Sequence, residues 1–174
     1  YLESVEKNTE PPRHTRVLFH FEDGGSLAYI SVRKFGYVSL TPTMEAFISE
    51  HGLGPDALAE DFDFTAFKSA LDGKSSAIKS ALMDQARIAG IGNDYSDEIL
   101  FQAGVHPKRP ADGLNEDQSH KLFSAMKQVL TAAIEAGADP SRMPDSFLLP
   151  HRKNGEPCPG CGGTVRAEKI AGRT

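Results

Sequence analysis

Between residues 76 and 104 the chain sets two stripes of helical period on either side of Gly90-Ile91-Gly92-Asn93, and this glycine-bracketed turn narrows the possible folds more than any other feature. Ile78, Leu82 and Ala86 recur at i, i+4 and i+8, which predicts a helix over about 76–89 that Gly90 ends. Asn93 is a good N-cap for a second helix through Tyr95, Ile99 and Phe101, closed by Gly104 with Pro107 beyond. Asn115 with Gln118 reads as a capping box. It opens a longer helix whose Leu122, Met126, Val129 and Ala133 share one stripe, and Gly137 and Pro140 stop it. Shorter helices are expected over 43–51 and from an Asp63 cap through Phe64, Phe67 and Leu71 to Gly73.

Before residue 42 the period is two. Val17, Phe19 and Phe21 share a face, Asp23-Gly24-Gly25 supplies a turn, and Ser26 to Val32 returns as a second strand. Phe35 to Leu40 predicts a third antiparallel strand ended by Thr41-Pro42. The fold class expected from this order is α+β. Ala138 to Pro150, with Pro140, Pro144 and Pro150, reads as a linker into the tail.

The net charge is -5 but uneven. Residues 151–174 carry Arg152, Lys153, Arg166, Lys169 and Arg173 against only Glu156 and Glu168, a basic module on an acidic body. Such asymmetry suits a phosphate-binding surface, and it equally suits a solvated end. Hydrophobic residues make up 39% of the chain, enough to exclude disorder throughout. No apolar run approaches the ~18 residues of a membrane span, and no leader pattern is present, so a soluble, cytoplasmic or otherwise intracellular location is expected. Two cysteines three residues apart fit a reducing compartment. Tyr1 at the front and Thr174 after the first arm of an apparent hairpin read as a piece of a longer chain.

Cys158-Pro159-Gly160-Cys161-Gly162-Gly163 is a tight knuckle in which two thiolates can face one ion, and zinc is the natural occupant. A thiol redox pair is the competing reading, but it needs a helix N-terminus beneath the thiols, and Thr164 to Glu168 has a strand pattern instead. A tetrahedral site needs two more ligands, for which His151 is the nearby substitute. Gly90 to Tyr95 could cradle a phosphate at a helix N-terminus, or be no more than a C-cap, a turn and an N-cap. Arg33-Lys34-Phe35-Gly36 between two strands could wedge an aromatic into a base stack, although Phe35 alone also reads as core. His14, His20, His51, His106 and His120 have no ligand spacing.

Taken together, Arg33-Lys34-Phe35-Gly36, Ile78-Lys79 with Leu82-Met83-Asp84-Gln85, the string from Gly90 to Pro107, and Gly155 to Arg173 resemble the formamidopyrimidine-DNA glycosylase and endonuclease VIII family nearly end to end. The resemblance implies the closing strands of a catalytic antiparallel β-sandwich over 1–42 and a helical domain with a helix-two-turns-helix over 43–137. A linker over 138–149 and a truncated zinc-finger β-hairpin over 150–174 would follow. It implies base-excision repair: an oxidised base is flipped from damaged double-stranded DNA, its glycosidic bond is cut, and the abasic strand is nicked by elimination. A structural zinc, a monomer and a bacterial nucleoid setting go with it. The family's nucleophile is the amine of an N-terminal proline, helped by a glutamate and a lysine, and this chain begins instead with Tyr1, so alone it is expected to be inactive.

The residues that carry over bind DNA. His14 and Arg33 match contact positions, Arg33 filling the gap left by the extruded base, and Phe35 matches the wedge aromatic. Lys74 lies where a basic contact is common, Gly92 and Asn93 match a backbone-phosphate contact, and Cys158 and Cys161 match zinc ligands. Arg173 matches the zinc-finger arginine that grips phosphate and acts as an acid in the second elimination. Three departures stand out: Ser31-Val32 replaces Asp-Pro, Asp94 replaces an aliphatic and adds negative charge beside the phosphate contact, and 138–150 is short for an oxidised-purine capping loop. The choice between oxidised purine and pyrimidine stays open. A non-enzymatic helix-two-turns-helix nucleic-acid module is the alternative, and a redox CxxC protein a third.

Overall fold

The computed structural model describes every residue of the chain except Phe35 and Lys74, so what was expected of those two lies outside the described residues. The chain divides into two compact units, Tyr1–Thr43 and Met44–Thr174.

In the first unit, β1 (Leu2–Val5), β2 (Thr15–His20) and β3 (Ser26–Ile30) form an antiparallel sheet in the order β1-β3-β2. The turn between β2 and β3 is the expected one: Phe21 N–H donates to the Gly25 carbonyl at 2.9 Å and Gly24 takes φ 89°. The buried face carries Val5, Ala28 and Ile30 with Leu18 packed against them. Val17 and Phe19 do share a face, opposite Tyr29 and Leu27, but it is the other one, and both Phe19 and Phe21 are exposed. A third strand over 35–40 is not found; Gly36 to Leu40 forms no ladder. Both edges of β3 are already taken by β1 and β2, and a turn closed by Lys34 N–H donating to Ser31 Oγ, with Lys34 at φ 57°, leads the chain off the sheet. The first strand, Leu2–Val5, carried no period-two signal long enough to announce it.

The second unit holds α1 (Met44–His51), α2 (Phe64–Leu71), α3 (Ile78–Leu82), α4 (Asn93–Ala103) and α5 (Glu116–Glu135). Asp63 caps α2, its Oδ1 accepting from Ala66 N–H at 2.8 Å, and Phe67 and Leu71 enter the core. The Asn115–Gln118 capping box opens α5 with both reciprocal bonds made. One face of α5, Leu122, Met126, Val129 and Ala133, shares a core with Ile99 and Leu100 of α4 and Ile78 and Leu82 of α3.

The helix expected over 76–89 stops at Leu82. Backbone pairing competes for the rest: Gly54 N–H donates to the Gln85 carbonyl, Ala57 N–H to Ala89, and Ala89 N–H to Pro55, laying 54–57 beside 85–89. A Cβ on Gly54 would stand 2.6 Å from the Arg87 carbonyl, so only glycine admits this approach. Gln85 fixes the turn that follows, Nε2 donating to the Ile91 carbonyl at 2.8 Å and Oε1 accepting from Gly90 N–H at 3.0 Å. The cap of α4 is Gly92, and Asn93 is its first helical residue, which corrects the assignment of Asn93 as N-cap. Gly104 closes α4 at φ 64°, as glycine at that position allows.

The expected linker 138–149 is no free spacer. Met143, Phe147 and Leu149 are buried in the main core, and short 3-10 turns at Pro140–Arg142 and Leu149–His151 join them. Among the described residues no helix is long and apolar enough to cross a membrane.

Candidate nucleic-acid interface

The first turn of α4 is built on a buried ion pair. Lys79 of α3 has a side chain only 2% exposed, and its Nζ lies 2.7 Å from Asp97 Oδ1. Asp97 Oδ2 in turn accepts from Arg152 through Nε at 3.0 Å and Nη2 at 2.6 Å, and Arg152 Nη1 reaches Asp94 Oδ1 at 2.9 Å. Lys79 Nζ and Arg152 Nη2 also both donate to the Thr174 carbonyl, at 3.0 and 3.1 Å. Two cations thus tie the N-terminal turn of α4 to the end of the basic tail. Gly92 has open space where a Cβ would stand, and the N–H groups of the turn that follows have no partner inside the helix, as at other helix N-termini.

Arg173 stands at the close of a tight turn, exchanging N–H···O bonds with Ile170 at 2.7 and 2.9 Å across Ala171 (φ 47°) and Gly172 (φ 77°). Thr174, which follows it directly, is tied by Lys79 and Arg152 to Asp94 and Asp97 in the first turns of α4. Upstream, Cys158 and Cys161 sit on a knuckle closed by Cys158 N–H donating to Gly163 and Gly162 N–H to Cys158. Thr164 to Glu168 contributes a single bridge, Thr164 to Pro157, in place of the expected strand. The backbone N–H of Cys161, and after it that of Gly160, points at the Cys158 sulfur and holds its thiol below the ordinary range, outweighing a small desolvation. Both cysteines line a cavity of about 920 Å³ shared with Lys79, Phe101 and Val165. The paired thiols fit half of a tetrahedral thiolate set. His151 Nε2 donates to the Asp145 carbonyl at 2.9 Å, and no group of three or more ligands occurs among the described residues.

In the other unit, His14 precedes β2 and Arg33 follows β3 at the same end of the sheet, where Thr15 faces Ile30. Ser31 N–H donates to the His14 carbonyl at 3.2 Å and Arg16 Nε to the Ser31 carbonyl at 2.9 Å, so the two loops are bonded together. Ser31, standing where the family pattern has aspartate, accepts from Lys34 N–H at 3.1 Å and so closes the turn that presents Arg33.

From sequence, Lys79 stands only within a motif, Arg152 only in the basic tail, and Asp97 and Glu98 only as complements of the helix dipole, so none of the four has a place in the site. Glu98 is fully buried on α4, Oε1 accepting from Leu148 N–H at 3.0 Å and Gln102 Nε2 at 2.8 Å, Oε2 from Leu149 N–H at 2.7 Å. The available signal was position: Lys79 and Glu98 each stand immediately before or after an apolar stripe residue, Ile78 and Ile99.

The model of the formamidopyrimidine-DNA glycosylase H2TH domain matches residues 53–145. Formamidopyrimidine-DNA glycosylases of Listeria innocua and Heliobacterium modesticaldum are each 36% identical, over 97% and 100% of this chain and 66% and 67% of their own lengths. The chain therefore spans about two thirds of the length of these relatives. A solved complex of Lactococcus lactis Fpg with FAPY-dG containing DNA superposes with a TM-score of 0.82 at 29% identity, covering 99% of this chain and 67% of that one. The complex of the same organism's Fpg with abasic-site DNA gives 0.80 at 30% over 99% and 67%. With a domain match over more than half its residues and a relative 36% identical across 100% of this chain, the chain belongs to the formamidopyrimidine-DNA glycosylase family.

Proposed function

We propose that the chain is the DNA-binding part of a base-excision glycosylase with abasic lyase activity on oxidised bases, its substrate damaged double-stranded DNA. The observation that supports this is the Lys79–Asp97–Arg152 tie, which joins Thr174, the neighbour of Arg173 in sequence, to the helix that the Gly92-Asn93 turn opens. Solved relatives contain abasic-site, FAPY-dG and carbocyclic 8-oxo-G DNA. In this reading Gly92, Asn93 and Arg173 grip backbone phosphate, and Arg173 serves as the acid of the second elimination. His14 and Arg33 approach the duplex from the end of the sheet, with Phe35 as wedge and Lys74 as a further basic contact. Cys158 and Cys161 would hold a structural zinc as two of its ligands, pinning the knuckle rather than taking part in the chemistry.

With a duplex carrying a tetrahydrofuran abasic analogue, Asn93→Ala and Arg33→Ala are each expected to weaken binding by about tenfold at low salt, the deficit shrinking as salt rises. Affinities equal to that of the unaltered chain would remove these residues from the interface. Incubated with true abasic DNA and borohydride, the 174-residue polypeptide is expected to leave no covalent adduct, because the residues proposed here hold phosphate and base and do not attack the abasic sugar. A trapped adduct would overturn this division of roles.

A further inference from the structure

Resting on the DNA-binding reading above, we propose that Asp94 is a resident competitor for the phosphate at the α4 turn, and that Arg152 is the positioning residue that balances it. Asp94 Oδ1 accepts from Asn93 Nδ2 at 3.0 Å and pairs with Arg152 Nη1 at 2.9 Å. A carboxylate of the protein therefore already holds one of the two N–H donors of the amide that Asn93 would present to a phosphodiester. Turning the amide over would set its oxygen against the carboxylate and put the NH2 where Oδ1 now lies buried without a hydrogen-bond partner among the described residues.

The charges of the cluster cancel. Among the four side chains Lys79 and Arg152 oppose Asp94 and Asp97, so these residues together bring no net positive charge to the turn. Its members differ in freedom. Lys79 is 2% exposed and Asp97 17%, while Asp94 is 60% exposed and is the one able to swing aside. An arriving phosphate takes Asp94's place at Asn93 Nδ2 and shares the Arg152 guanidinium, working against the displaced carboxylate. The guanidinium, with every nitrogen engaged by Asp94, Asp97 or Thr174, keeps the two acidic groups from repelling phosphate together.

The test uses the 174-residue chain and a fluorescein-labelled duplex carrying a tetrahydrofuran abasic analogue, followed by anisotropy over a range of salt. Asp94→Asn is expected to tighten binding about two- to fivefold at low salt, an advantage that fades as salt screens it. Arg152→Ala should weaken binding by about tenfold, and adding Asp94→Asn to it should recover most of the loss, since the pair removes one charge of each sign. If Arg152 were only a mechanical strut, the second substitution would recover nothing, and that result overturns the inference. Should Arg152→Ala fail to fold by circular dichroism, Asp94→Asn alone decides, because its side chain is exposed: unchanged affinity overturns the inference while leaving the DNA-binding reading intact. Failure of the unaltered chain to bind the duplex at all overturns both.

Discussion

Asp97→Ala is expected to lower the free energy of unfolding by about 3–5 kcal/mol, whereas Lys79→Met, which removes the other end of the same ion pair, should cost far less. The asymmetry follows from what each substitution strands. Without Asp97, the ammonium of Lys79, 2% exposed, keeps only the Thr174 carbonyl, and Arg152 loses the two bonds that fix its planar head. A buried cation without a counter-charge is the expensive case. Without Lys79, Asp97 still holds Arg152 through Nε and Nη2, and methionine fills much of the vacated stem volume. The double variant should therefore be more stable than Asp97→Ala alone. Urea denaturation of the three variants checks this. Equal losses for the two single changes, or a double variant no better than Asp97→Ala, would show that the pair does not govern the stability of this region.

How much of this could be read beforehand depended on whether the forces were local. α5 was legible because its cap, stripe and stop lie within one stretch of chain: Asn115 and Gln118 bond each other, and Gly137 follows at φ 65°. The stop of α4 at Gly104 was legible for the same reason. The second half of 76–89 was not, since its helical period is real but its backbone is claimed by Pro55 and Ala57 from thirty residues away. In 138–149 the prolines gave a strong local signal and concealed three spaced apolar residues, Met143, Phe147 and Leu149, that the core takes up. The chemistry-bearing residues divided similarly. Arg33, Asn93 and Arg173 could be singled out from motifs alone, whereas the meeting of Lys79, Asp97 and Arg152 could not, because only folding shows that charges spread over 73 residues of sequence come together.

Glu98→Ala is the second large effect expected, a loss of about 3–5 kcal/mol localised to the segment read as a linker. The carboxylate joins α4 to residues 148–149 by accepting from two backbone N–H groups, and its partner Gln102 is held from the same helix. Alanine leaves the N–H groups of Leu148 and Leu149 facing a void, and Leu149 is itself 8% exposed, so water cannot easily replace the lost acceptor. Glutamine is no conservative rescue. Its oxygen can serve one side of the site, but its NH2 would then confront a backbone donor, so Glu98→Gln should cost about 1–3 kcal/mol. The signature is regional: hydrogen exchange at Leu148 and Leu149 should accelerate in Glu98→Ala well before protection in α5 is lost, and trypsin should gain access at Arg152 and Lys153. If exchange rises uniformly across α4, α5 and 148–149, Glu98 supports the whole core and not this junction; if stability is unchanged, the buried carboxylate does not hold the segment at all.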